Sequence, residues 1–234
     1  MSSTRSTRKT PSARTRVRRN KERGCYDRAA INRILDAGIL CHVGFAFEGR
    51  PVVIPTLYWR DADRILLHGS TASRMMRAIE GAEVCVSVTH LDGLVLAHSA
   101  FHHSANYRSV CVFGCPQVVA AEEQRDHLRD FMEGLFPGRW ETLRPVTARE
   151  LKATRLLSLP LDEASAKIRR GPPDEPGKDR NWPAWAGVLP LIAAFGAPAP
   201  DEHSQASGLP APSSERLGSS ADDSPTAAGQ VVKS

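Results

Sequence analysis

The sequence predicts a mainly β protein, a small barrel of about six antiparallel strands with a few helices at its periphery. Short runs rich in β-branched and aromatic residues follow one another from Ile39 onward, and tight polar turns such as Glu48-Gly49-Arg50 and Asp61-Ala62-Asp63 separate them. Crossover helices, which a parallel sheet needs, are missing between consecutive strands. The 234 residues, 41% hydrophobic and 24% charged, suffice for one buried core. The same composition excludes a coiled coil, a collagen and a disulfide miniprotein.

Taken in order, Tyr26 to Ala37 carries Ile31, Ile34 and Leu35 at helical spacing and stops at Gly38, which reads as a helix with a glycine end. Ile39 to Phe47, Pro51 to Trp59 and Arg64 to His68 read as strands joined in hairpins. Thr71 to Glu80 sets Met75, Met76 and Ile79 on one side and is followed by Gly81, so it reads as a short helix. Strand character returns over Ala82 to Thr89, Leu94 to His102 and Tyr107 to Val119, with a turn predicted at Asp92-Gly93. Ala121 to Leu135 is an amphipathic helix whose apolar side is Leu128, Met132 and Leu135, closed by Pro137-Gly138. Thr147 to Glu150 has the form of a capping box that opens another short helix. Leu156 to Leu161 is a final strand, and no internal repeat is present.

These elements form one domain over residues 15–197. Residues 198–234 are rich in Pro, Ser, Ala and Gly with scarcely any large apolar side chains, so they are expected to be disordered. So is a basic arm over residues 1–14. The first 23 residues hold nine of the 31 Lys and Arg against one acid, Glu22, a net charge of +8 that leaves the remaining chain at −3. The positive total therefore describes an arm, and a uniformly basic nucleic-acid surface is not expected. The longest apolar run, Ala186 to Ala197, is broken by Pro190 and is too short to span a membrane. With neither a secretory nor a transit pattern in its first residues, the protein is read as cytoplasmic. Cys25, Cys41, Cys85, Cys111 and Cys115 form an odd set, largely within apolar runs, and read as buried reduced thiols with no metal role.

Chemistry concentrates in Leu66-Leu67-His68-Gly69-Ser70-Thr71-Ala72-Ser73-Arg74-Met75-Met76-Arg77, where a strand ends in glycine, hydroxyls fill a turn and a helix begins with arginines. Those groups suit a phosphate dianion. They also suit an ordinary capped helix with solvated arginines, and the segment alone leaves both readings open. It is neither a Walker loop nor a dinucleotide glycine fingerprint. Two prolines mark the preceding strand, Pro51-Val52-Val53-Ile54-Pro55-Thr56, and Pro55 is expected to interrupt the ladder and free backbone groups for a flat heterocycle. Ser99 to Ser109 is polar for a segment leading into Val110 to Phe113, as at a barrel mouth. His98 and His102 would share a strand face with His103 opposite, and without a nearby carboxylate they are read as ordinary histidines.

From Arg18 to Leu191 the chain resembles the FMN-binding split-barrel family related to pyridoxamine 5′-phosphate oxidase, in its 5-nitroimidazole-resistance branch. The words that carry the resemblance are YDRAAINRILDAG, HVGF, PVVIPTLYWR, LHGSTASRMMR, THLDGLVLAHSAFHHSANYRSV, FG, PGRW, SAKIRRGPPDE and WAGVLPL, in the expected order. The resemblance implies a six-stranded split barrel and a homodimer with FMN sites at the subunit interface. It implies that Val53, Ile54, Pro55 and Thr56 run along the isoalloxazine edge, and that His68, Ser70, Ser73 and Arg74 approach the ribityl chain and phosphate. Asn106, Arg108 and Trp185 would close the pocket, from the same chain or its partner. His68 is the candidate proton donor.

The implied activity is an FMN-dependent oxidoreductase acting on a small aromatic or nitroaromatic substrate, with NAD(P)H as a possible reductant. The family's oxidases hold pyridoxamine phosphate through a C-terminal arginine segment. This chain has WAGVLPL there, which argues against vitamin B6 oxidation. Two other readings stand beside it: a module that binds or sequesters flavin, deazaflavin or haem with little turnover, and a basic arm that tethers nucleic acid or an acidic partner.

Overall fold

The computed structural model describes residues 10–208 and 210–211. Residues 1–9, 209 and 212–234, the outer parts of the two segments expected to be disordered, lie outside the described residues. In chain order the elements are β1 (Gly24–Cys25), α1 (Arg28–Asp36), β2 (Leu40–Phe47), β3 (Arg50–Asp61), β4 (Arg64–Ser70), α2 (Arg74–Ile79) and β5 (Val84–Leu96). They continue with β6 (Ser104–Gly114), β7 (Gln117–Val118), α3 (Gln124–Leu135), α4 (Ala148–Ala153), β8 (Thr154–Pro160), β9 (Glu163–Arg169), β10 (Gly187–Pro190) and α5 (Glu202–Ala206).

All strand pairings are antiparallel, in the order β1-β9-β6-β5-β2-β3-β4-β8-β7, with β10 added along β5. The sheet coils without closing: among the described residues β1 and β7 remain its ends. β3 makes the turn between the two halves. Its stretch from Arg50 to Leu57 pairs with β2, and its last residues, Tyr58 to Asp61, pair with β4. Inside lies one apolar core, including Val43, Leu67, Met76, Val86, Val112 and Leu157, each essentially inaccessible. α1 closes one end. Asp27 caps it by accepting from Ala30 N–H at 2.9 Å, and the buried Tyr58 hydroxyl donates to Leu35 O at 2.6 Å.

The sheet is larger than the sequence indicates. β9 is strung on small and charged residues (EASAKIR), and β10 contains Pro190, so neither displays the β-branched run that marks the central strands. The expected turn at Asp92-Gly93 is a bulge: β5 runs straight through it while its register with β6 shifts between Leu91 and Gly93. Glycine is required there for another reason, since a Cβ would lie 2.7 Å from Leu189 O on the paired strand β10. The strand expected over Leu94 to His102 ends at Leu96, and Ala100–His102 is a turn of 3₁₀ helix, so His98 and His102 share no strand face.

α3 starts three residues late and buries Gln124, His127 and Phe131, while Leu128, Met132 and Leu135 are half-buried. The capping box at Thr147 and Glu150 is present in full. All five cysteines are free, but only Cys41 is buried, because Cys85 and Cys111 alternate onto the outer face of the sheet. At the domain edges, Arg14 pairs with Glu83 and Glu163, and the short exposed helix α5 is capped by Asp201.

Candidate functional site

The site grows from the way β3 leaves β4. Their ladder covers only Tyr58–Asp61 against Arg64–Leu67. Continued, it would set Leu57 opposite His68 and Pro55 opposite Ser70, but the strands part there and β4 goes on with β8. Tyr58 N–H donates toward β2, to Ile39 O at 3.1 Å. Alternation then turns the backbone groups of Thr56 and Ile54 toward β2 and those of Leu57, Pro55 and Val53 toward the seam, where no strand takes them. The β2 ladder runs past Pro55 without a break, contrary to expectation, because the missing N–H of proline falls on this open edge. Of the four residues expected to line a heterocycle with their backbone, Val53 and Pro55 have groups to offer and Ile54 and Thr56 do not.

Across the seam lie Ser70, Ser73 and Arg74. Ser70 Oγ accepts from Ala72 N–H at 3.1 Å and Ser73 Oγ from Met76 N–H at 3.4 Å, which orients both hydroxyls and leaves their protons uncommitted. The Arg74 guanidinium lies over the Phe47 ring, 5.1 Å from its centroid, and has no acidic partner among the described residues. It is thus held at the hairpin end of the seam with its charge unspent. α2 is only six residues long, so its dipole adds little and the arginine and hydroxyls carry the affinity for an anion.

His68 is not brought to this group. Gly69, its neighbour, faces inward, where a Cβ would lie 2.8 Å from Met76 of α2, and alternation turns His68 outward beneath α3. Its ring meets Phe131 at 5.1 Å and Trp59 at 5.8 Å between centroids. Burial lowers its pKa below the ordinary histidine value. The expected proton donor is therefore a neutral imidazole at neutral pH, facing away from the cradle.

Asn106 and Arg108 are committed elsewhere. Buried Asn106 accepts from Arg169 and donates to Gly171 O at 3.2 Å, and Arg108 holds Asp92 through bonds of 2.8–3.1 Å. Trp185 is exposed, its ring packed over Gly187 at the start of β10. Sequence reasoning missed the surroundings of His68: Trp59, stacked on Phe131 at 4.7 Å, and His127. It also missed Glu175, whose buried carboxylate accepts from His98 Nδ1 at 2.6 Å across 77 residues of sequence. No local spacing signals either contact. Among the described residues no cluster of three or more His, Cys, Asp or Glu is placed to hold a metal ion, and no helix is long and apolar enough to cross a membrane.

An antiparallel barrel opened along one seam, with bare backbone on one lip and hydroxyls and an arginine on the other, defines a split-barrel protein. The chain belongs to the pyridoxamine 5′-phosphate oxidase family, whose profile matches residues 27–168. Among solved structures it is similar to the flavocytochrome Anf3 from Azotobacter vinelandii, with 42% identity, a TM-score of 0.82, and 88% of this chain and 96% of the other covered. It is also similar to the FAD and haem binding protein from Mycobacterium smegmatis, with 39% identity, a TM-score of 0.77, and 84% and 97% covered. A candidate 5-nitroimidazole antibiotic resistance protein from Bacteroides thetaiotaomicron shares the fold at 20% identity and a TM-score of 0.51, over 62% of this chain and 86% of that one. No protein of curated function matches the chain.

Proposed function

We propose that the protein is a flavin-dependent oxidoreductase whose cofactor lies in the seam between β3 and β4. The observation that carries this reading is the unpaired edge of β3 facing Ser70, Ser73 and Arg74. A flavin presents a flat edge of hydrogen-bonding groups and, through its ribityl chain, a phosphate. Val53 and Leu57 supply N–H donors for the first, while the hydroxyls and the guanidinium suit the second. When bound, the flavin supplies two-electron transfer from a donor such as NAD(P)H to a small electron-poor aromatic acceptor, nitroaromatics included. The chain's part is to fix the ring plane against β3, to neutralise the phosphate with Arg74, and to exclude water from the seam.

A second copy of the chain would finish that last task. The outer face of the sheet exposes Leu40, Val53, Leu57, Leu94 and Leu189, and Ile192 is exposed just beyond β10, apolar side chains that a lone subunit would leave in water. We therefore propose a homodimer, tested by light scattering. For the flavin, the test is the absorption spectrum of protein purified without added cofactor, with extraction to separate FMN, which the sequence resemblance implies, from FAD, which the M. smegmatis relative binds. Steady turnover of NAD(P)H with a nitroimidazole supports the oxidoreductase. Tightly held flavin with no turnover supports a binding protein, and colourless protein that takes up no flavin overturns both.

A haem is a second reading, because the two relatives of highest identity reported above are a flavocytochrome and a haem binding protein and because the region beneath α3 is unfinished. There Trp59 Nε1, His68 Nδ1 and His127 Nδ1 are all buried without a hydrogen-bond partner. Three orphaned polar atoms around one small apolar cluster suit a bound group better than a sealed core.

A further inference from the structure

We propose that the segment from Pro11 to Tyr26 forms a further binding site, for a nucleotide-sized organic anion that carries at least two phosphate groups. A cavity of about 690 Å³ opens there, and none of its lining residues belongs to the seam between β3 and β4. The inference therefore goes beyond the flavin reading and does not depend on it. Sites for small molecules span about 300–1,000 Å³, so the space suits a nucleotide and exceeds what a bare phosphate would fill.

The segment is fastened to the domain along its length. Arg14 pairs with Glu83, just before β5, and with Glu163 of β9. Thr15 is buried, and Arg16 N–H donates to Ser12 O at 3.1 Å across the turn between them. Val17 N–H donates to the Tyr26 hydroxyl at 2.8 Å, and a Cβ on Gly24 would lie 3.0 Å from that of Val17. Asn20, in the left-handed region at φ 54°, folds the chain back toward β1.

This path brings Arg16, Arg18 and Lys21 to one cavity. None of the three has an acidic partner among the described residues, and no carboxylate lines the cavity. The acids close in sequence or space are spent elsewhere: Glu22 on Arg23 at 3.6 Å, Asp27 on the cap of α1, and Glu83 and Glu163 on Arg14. Three like charges around one space repel one another and gain from an anion set between them. Two guanidinium forks and an ammonium match the oxygens of adjoining phosphates. The rest of the wall, Pro11, Ala13, Val17 and the half-buried Tyr26, is apolar and offers a surface for the organic body of the ligand.

The test is isothermal titration calorimetry of the full chain with ADP, pyrophosphate and adenosine. ADP should bind the wild type, and Arg74→Ala, which removes the charge of the seam, should keep one ADP site of unchanged affinity. Arg16→Ala, Arg18→Ala and Lys21→Ala should each weaken that site by about tenfold, the loss of one charge-assisted contact. Replacing Arg5, Arg8 and Lys9 together by alanine removes as much charge ahead of the described residues and should change the affinity by less than about twofold. Pyrophosphate should bind about tenfold more weakly than ADP, and adenosine should not bind. Trypsin gives a readout in the wild type even if a variant does not fold: ADP should protect the bonds after Arg16, Arg18 and Lys21 and leave those after Arg5 and Arg8 open. Absence of ADP binding to Arg74→Ala, an equal loss in the Arg5, Arg8 and Lys9 variant, or equal affinity for pyrophosphate would overturn the proposal. So would a single-stranded oligonucleotide that binds about a hundredfold more tightly than ADP, since the segment would then be a nucleic-acid contact.

Discussion

The interior of the barrel and the layer beneath α3 lie on opposite faces of β4, and they are finished to different degrees. Leu67 and Ile65 face inward into a continuous apolar core. Leu66 and His68 face outward into a cluster of three buried apolar residues, and three polar atoms there make no hydrogen bond, although His127 Nδ1 lies 3.8 Å from Asp61 Oδ2. One strand thus serves a core that is complete in the single chain and a second that is not. The lesson is that incompleteness in a folded domain is local and can be read atom by atom from its orphaned polar groups.

The largest expected effect is on the complete side. Leu67→Ala should destabilise the cofactor-free protein by about 2–5 kcal/mol, because its neighbours are locked on every side. Urea unfolding measures it, and a cost below about 1 kcal/mol would erase the contrast between the two regions. Next is the anchor of the outer layer. Gln124 Nε2 donates to Thr154 O at 2.6 Å, so Gln124→Ala should cost about 1–2 kcal/mol and speed amide exchange along α3.

His68→Phe, tested without cofactor, should leave stability unchanged or raise it slightly, since it removes an orphaned nitrogen and keeps the ring contacts. A loss comparable to that of Leu67→Ala would mean that the imidazole is a structural element after all.

The smallest effect is on pH dependence. Burial lowers the folded pKa of His68, so below the ordinary value of about 6.5 the unfolded chain takes up a proton that the folded chain resists. Stability therefore falls as pH drops from the ordinary value through the folded one. In His68→Phe that part of the acid loss should vanish, leaving a flatter stability curve below about pH 6.5.

What could be read from the sequence followed the range of the interaction. α1, the β2–β3–β4 hairpins and the Thr147 box depend on neighbours a few residues apart, and they are in place; Gly38 after α1 is instead required by distant groups, since its Cβ would meet His90 at 2.9 Å and the Tyr58 hydroxyl at 3.0 Å. The hydroxyl and arginine run from Ser70 to Arg74 was legible for the same reason. β9 and β10 were not, since their partners lie far along the chain and their residues advertise no strand. Gly93 resembled a turn because the backbone that presses on it belongs to Leu189 and Pro190. Arg108 was named from the resemblance, and its ion pair with Asp92 forms across the β5–β6 pairing, beyond what local spacing displays. The resemblance placed Val53 to Thr56 beside a cofactor as a block, and only the strand register separates the two residues with free backbone groups from the two without.

That register allows the most direct test of the seam as the cofactor seat, which is residue-resolved amide exchange with and without bound flavin. The Val53 and Leu57 amides should exchange quickly in the apo protein and become protected when flavin binds, while Ile54 and Thr56, already bonded to β2, stay slow in both states. Flavin that binds with no change at Val53 and Leu57 would contradict it.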